Sequence, residues 1–172
     1  MHRFEEGYFY NPSKGNLTFD NVIKEIFAYI QEKPQNFYDI IVGCDSSSGD
    51  KVFFPVVIVV WRVGGGGRFF IKKITYPDNI SKKFSHWHQR ILEEVLLSCD
   101  LALFLKEAIL KEAINHENLL NYQFRYIHAD VGEVGKTRDM VKEIVGLIKS
   151  NGFEAKIKPE SFAASSIADK YS

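Results

Sequence analysis

Cysteine is scarce in this chain: Cys44 and Cys99 are the only 2 in 172 residues. One disulfide at most could form, which excludes a small secreted scaffold stapled by several bridges. Both fall in stretches that read as core elements, where a free thiol behaves as a small hydrophobe. They supply no zinc spacing, and His86 and His88 flank Trp87 and cannot share a helical face, so no zinc site is expected. Long apolar runs are missing as well. The longest, Val52 to Trp61, contains Pro55 and is far too short to cross a bilayer. Met1 is followed by His2, Arg3, Glu5 and Glu6, which fits no signal peptide, and the expectation is a cytoplasmic protein with no membrane partner. An excess of either charge is also absent, with Lys plus Arg at 22 and Asp plus Glu at 22. Tight non-specific duplex binding depends on phosphate neutralisation, so a nucleic-acid partner would have to use a local basic strip.

What is present suits a packed core. Apolar residues make up 45 % and aromatics 14 %, enough for one domain spanning residues 1–172. Residues 1 to 17 read as an irregular leader, marked by Asn11-Pro12 and Gly15-Asn16. Thr18 is a plausible N-cap for a first helix, in which Phe19, Val22, Ile23, Ile26, Phe27 and Ile30 recur at helical spacing until Pro34 closes it. Residues 1–34 are thus expected to pack on the domain as a leader and an extra N-terminal helix.

Three strand-like runs follow. Tyr38 to Cys44 is almost wholly apolar, as a strand buried on both faces would be. Val52 to Val63 is Val- and Ile-rich, with Pro55 hinting at a bulge or irregular start. Gly64 to Gly67 makes a hairpin connection to a returning strand, Arg68 to Tyr76. A long helical region runs from about Lys82 to about Asn115, as one helix or as two with a break, with Phe84, Trp87, Ile91, Val95, Ala102, Leu105 and Ile109 along one stripe. Tyr122 to Ala129 reads as a strand, and Lys136 to Ser150 as a helix stopped by Asn151-Gly152. Phe153 to Lys158 reads as an edge strand, and Ala163 to Tyr171 as a short alanine-rich helix. The order predicts an α/β fold: a mixed five-stranded sheet, its first three strands antiparallel, then β/α alternation, with helices on both faces.

Acidic residues mark the ends of these elements. Asp45 closes the first strand in Val42-Gly43-Cys44-Asp45-Ser46-Ser47, and Asp130 closes a later one in His128-Ala129-Asp130-Val131-Gly132. Adjacent strand ends in open α/β sheets form the crevice where ligands bind. An acid beside a core is costly unless something compensates it. Either aspartate alone could merely open a polar turn; the pair argues for a site. The long helix offers Glu93 and Glu94. Glu94 shares a flank with Ser98, Leu101 and Leu105 and is the better candidate to reach inward. In the terminal helix, small residues permit close approach to the sheet, and Asp169 follows one turn on. Carboxylates crowded together repel and take up protons, whereas hard divalent ions such as Mg²⁺ or Mn²⁺ compensate that charge.

This succession of strand and Asp45, two strands, helix with Glu94, strand and Asp130, and terminal helix with Asp169 resembles the ribonuclease H superfamily in order and spacing. More closely, the chain is similar to the small bacterial YkuK-type ribonuclease H-like family. The matching stretches are Val42 to Ser47, His128 to Gly132 with Gly135-Lys136-Thr137-Arg138, Lys156 to Pro159 with Phe162 to Ser166, the leader Tyr8 to Asn11, and Thr18-Phe19-Asp20. The resemblance implies a ribonuclease H fold with the first strand central, Asp45 and Asp130 side by side, and two-metal hydrolysis of a nucleic-acid phosphodiester. Departures from the superfamily are the absence of a basic handle for a hybrid duplex, a long connection between the helix and the fourth strand, and no dedicated substrate-binding domain.

Other residues extend this expectation. Gly132 to Gly135 feeds a helix start, where backbone N–H groups, Lys136 and Arg138 could hold substrate phosphate; a capped turn with a solvated arginine is the plainer reading. His128 shares a strand side with Asp130 and reads first as a hydrogen-bonded structural histidine. Lys72, Lys73, Lys82, Lys83 and Arg90 form one basic stretch, and Lys156, Lys158 and Lys170 a second. Two functions follow: a metal-dependent nuclease acting on RNA or DNA through Asp45, Glu94, Asp130 and Asp169, or a non-catalytic nucleic-acid-binding or regulatory module that keeps the fold. An actin-like nucleotide-binding arrangement fails on length.

Overall fold

The computed structural model describes residues 1–116 and 121–172. The leader is not irregular, as the sequence suggested. Its strands β1 (Phe9–Asn11) and β2 (Gly15–Leu17) form an antiparallel hairpin. The turn signals read at Asn11-Pro12 build this hairpin, because the Asn11 side-chain oxygen accepts the N–H groups of Ser13 and Lys14 at 3.0 and 2.9 Å. The Asn11 amide donates to Phe69 O at 2.9 Å, which fastens the hairpin to the sheet.

Helix α1 (Phe19–Glu32) begins at Thr18, whose hydroxyl accepts the Asn21 N–H at 3.4 Å, and it buries the apolar stripe expected of it. Strands β3 (Tyr38–Cys44), β4 (Phe53–Arg62) and β5 (Gly66–Thr75) follow as an antiparallel set. Every residue of β3 is buried, since layers cover both of its faces. Pro55 causes no bulge; it pairs in unbroken register with Lys73. The bulge lies elsewhere, at Arg125, where pairing jumps from Ile40–Phe124 to Ile41–Tyr126.

The long helical region is interrupted. A short helix α2 (Asp78–Ser81) and a 3₁₀ turn (Lys82–Ser85) precede α3 (Trp87–Ala113). The connection from α3 onward, expected to be long, includes residues 117–120, which lie outside the described residues. Strand β6 (Tyr122–His128) runs parallel to β3. A 3₁₀ turn (Arg138–Met140) leads into α4 (Val141–Ser150), so the regular helix starts later than Lys136. Edge strand β7 (Glu154–Lys156) is shorter than expected, and the chain ends in a wide π-type helix (Ala163–Ala168) continued by α5 (Asp169–Tyr171).

Among the described residues the sheet therefore has seven strands in the order β2-β1-β5-β4-β3-β6-β7, rather than five. The two extra strands extend the β5 edge, where Tyr10 pairs with Ile71. Strand alternation sorts the core into two layers. Ile40, Val42 and Cys44 pack with α1, α3 and α4 on one face, while Ile41, Val57, Val59 and Ile71 meet Ala163 and Ala168 on the other. The second layer is thin, and closeness compensates. A Cβ added at Gly43 would stand 2.9 Å from Ala164 N and 3.0 Å from Ala163 C, so only glycine admits the terminal helix this near to β3.

Candidate active site

The parallel register of β3 and β6 aligns Gly43 with His128. Two residues beyond each partner stand Asp45 and Asp130, so adjacent central strands deliver two carboxylates side by side, as the family resemblance implied. Asp45 remains tied to the sheet through its N–H, which donates to Pro55 O at 3.2 Å. Its carboxyl lies near the Ser46 N–H, which holds its pKa down, and near Asp169, which pushes it up.

Glu94 enters from the opposite layer. It is only 6 % exposed on α3, and its Oε1 accepts the Ser46 hydroxyl at 2.6 Å. Glu93 accepts the Tyr76 hydroxyl instead, so of the two neighbours Glu94 is the one that Ser46 meets. The serines after Asp45 are both turn and site: Ser47 closes the loop by accepting the Phe53 N–H at 2.9 Å and donating to Lys51 O at 3.3 Å, while Ser46 orients Glu94.

Crowding shows in the acidities. Burial pushes the Glu94 carboxyl up to about 8; the Asp45 and Asp130 charges push the same way, against the Ser46 hydrogen bond and nearby Arg90. Asp45 is pushed up to about 6, first by burial, with the contact to Asp169 and the charge of Asp130 adding to it and the Ser46 N–H opposing. Asp130 keeps a buried oxygen, Oδ1, without a hydrogen-bond donor among the described residues. Lys158 Nζ stands 3.2 Å from it as an ion contact that lacks hydrogen-bond alignment.

His128 is structural. Burial, with Lys156 adding to it, pulls its pKa down to about 4, and the neutral ring accepts the Ala163 N–H at Nδ1 across 3.1 Å. Phe162 packs edge-on against it at 4.7 Å. His128 and Gly43, partners across the ladder, together seat the terminal helix that carries Asp169.

The remaining candidates divide. Thr137 accepts the Gly132 N–H at 3.1 Å, so the glycine-rich turn is capped as in its plainer reading. Arg138 is exposed, and Lys136 lies over the Trp87 ring at 5.5 Å, next to the start of α3. The first basic stretch does not form one strip, because alternation along β5 sends Lys72 and Lys73 to opposite faces. Lys72 bonds to the Arg3 and Glu6 carbonyls, and Lys73 lies over Phe53. Lys82 and Arg90 instead join Lys51 in lining a groove of about 940 Å³ that also includes Asp50 and Asp78. Arg90, on the lining of this groove, is also near enough to Glu94 to oppose the rise in its pKa. Sequence reading placed Lys158 at the end of an edge strand, in a basic stretch and in a stretch matching the family, and none of these gave a sign of its reach to Asp130. Cys44 and Cys99 are free and buried, and burial raises both thiols, Cys99 to about 11.

Among the described residues no three His, Cys, Asp or Glu side chains stand close enough to make a ready-formed metal cage. The chemistry of the cluster still fits an oxygen-preferring divalent cation. Its donors are hard carboxylates, one buried oxygen lacks a donor, and burial, with neighbouring negative charge adding to it, holds the Asp45 and Glu94 pKa values above the ordinary carboxylate range.

Among proteins of known sequence, the chain is similar to the Uncharacterized protein YkuK of Bacillus subtilis (strain 168), 29 % identical over 170 residues and 95 % of each chain. No solved structure gives a significant match. The family model described as Ribonuclease H-like matches residues 21–172, all but the leader hairpin and the first residues of α1. The chain belongs to the ribonuclease H-like family.

Proposed function

We propose that the protein is a divalent-metal-dependent nuclease that hydrolyses a phosphodiester of RNA or DNA. The observation that supports this reading is the placement of Asp45 and Asp130 at the ends of paired strands, with Glu94 from one layer and Asp169 from the other near enough for their charges to be felt at that pair. Asp45 and Asp130 would be the main ligands of Mg²⁺ or Mn²⁺, with Glu94 and Asp169 completing the set. A bound pair of such ions supplies an activated water and stabilises the leaving oxygen. The chain's own residues do the rest. Ser46 holds the Glu94 carboxylate toward Asp45, and the Gly43 and His128 seat holds Asp169 across from it. Lys51, Lys82 and Arg90 offer backbone phosphates a path to the acids, and Lys136 and Arg138 offer a second approach.

The balanced charge favours a second reading, a nucleic-acid-binding or regulatory module without cleavage. Two experiments decide. Mn²⁺ at about a hundred times its Kd should raise the melting temperature of wild type by about 5–10 °C and leave Asp45→Asn unmoved. Mn²⁺-dependent cleavage of a panel of single strands, duplexes and hybrids should disappear in Asp130→Asn. Cleavage that survives both substitutions comes from a contaminant and ends the enzyme reading.

A further inference from the structure

Lys158 is placed by more than one feature of the fold. Its N–H donates to Val131 O at 2.8 Å, tying it to the segment that carries Asp130. Its stem then runs across Gly132. A Cβ added at Gly132 would stand 3.2 Å from Lys158 Cβ and 3.6 Å from Cδ, so glycine keeps this path clear. The stem ends with Nζ 3.2 Å from the Asp130 oxygen that has no hydrogen-bond donor among the described residues. Neighbouring Lys156 is engaged elsewhere, 3.8 Å from Glu160 and over the Tyr126 ring. Lys158 is also 48 % exposed, so its head can leave Asp130 for water without unpacking the core.

We infer that Lys158 is the resident counter-ion of the acid cluster, neutralising Asp130 in the metal-free protein and giving way when a divalent cation binds. The inference rests on the metal reading above and adds to it an exchange of one cation for another. Physically, the ammonium is a compact charge on a flexible stem, able to occupy an anionic site and to vacate it. A cation arriving at Asp130 must overcome that attraction, so Lys158 lowers the affinity of the site for metal and protects the empty site from its own repulsion.

The test is Mn²⁺ titration by calorimetry, with melting curves, on full-length wild type, Lys158→Met, Lys158→Arg, Gly132→Ala and Asp45→Asn. Lys158→Met should bind Mn²⁺ about threefold more tightly, the size expected for loss of a half-exposed ion pair. Its metal-free melting point should fall by about 2 °C, and the deficit should close at saturating Mn²⁺. Gly132→Ala, which obstructs the stem, should move affinity in the same direction, and Lys158→Arg should track wild type. Unchanged or weaker Mn²⁺ binding by Lys158→Met overturns the exchange. Mn²⁺ binding that survives Asp45→Asn overturns the assignment of the site instead. If neither wild type nor Lys158→Met binds Mn²⁺, both readings fall; binding by the variant alone supports the counter-ion role.

Discussion

Glu94 occupies surroundings that a carboxylate ordinarily avoids, and the consequence is measurable without any ligand. Its carboxyl titrates near 8 in the folded protein and near 4.5 when free, so between those values the folded state keeps a proton that the unfolded chain has lost. The stability this contributes is full below about 4.5 and disappears as pH rises through about 8. Asp45 acts in the same direction between 3.8 and about 6. His128 acts oppositely, since its neutral ring contributes above 6.5 and that contribution is lost as pH falls through about 4. Glu94→Gln isolates one of these effects. It should melt close to wild type at pH 5 and about 5 °C or more above it at pH 9, with the advantage gone at saturating Mn²⁺. Parallel melting curves from pH 5 to 9 would exclude a buried, uncompensated Glu94. The helix flank shared with Ser98 and Leu101 pointed to Glu94 as the glutamate facing inward, and Glu94 is buried, because periodicity reports which side of a helix is buried. The hydroxyl that meets it, Ser46, belongs to a segment 48 residues away and leaves no periodic trace.

The terminal helix and the strand beneath it form a unit at the scale of elements. Alanines and serines from Ala163 onward announce close packing, but the partner surface is made by Gly43 and by the Nδ1 of His128. Gly43→Ala should therefore cost about 1–3 kcal/mol by chemical denaturation and weaken the Mn²⁺ response, although it touches no acid. Gly146→Ala is the control: nothing lies within 4 Å of its added Cβ on α4, and it should stabilise by about 0.5–1 kcal/mol. Equal effects of the two substitutions would remove Gly43 from the design of the site. The same scale explains the basic stretch that sequence suggested. Consecutive lysines on a strand face opposite layers, so linear charge density overstated the strip.

For the molecule as a whole, the seven-stranded sheet makes the leader part of the architecture although the family match begins only at residue 21. Phe4 and Phe9 are fully buried, and β1 covers the β5 edge. A chain starting at Thr18 should lose about 3 kcal/mol or more, because two buried phenylalanines are removed from the core and an edge is opened. It should also self-associate in size-exclusion chromatography with light scattering. A monomeric truncated chain of unchanged stability would show the hairpin to be dispensable.

Local pattern alone determined the order of the elements after the leader, the antiparallel trio and the candidacy of Asp45, Glu94, Asp130 and Asp169, because burial imposes periods of two and 3.6 on any chain and strand ends stand out against them, while the centrality of β3 was implied by the family resemblance. The hairpin on the β5 edge, the unbroken register at Pro55, the fit of Gly43 and Gly132 to side chains and backbone far along the chain, and the contact of Lys158 with Asp130 were decided only by tertiary structure. Each depends on a distance between segments remote in sequence, and that distance is set by how the layers close on one another.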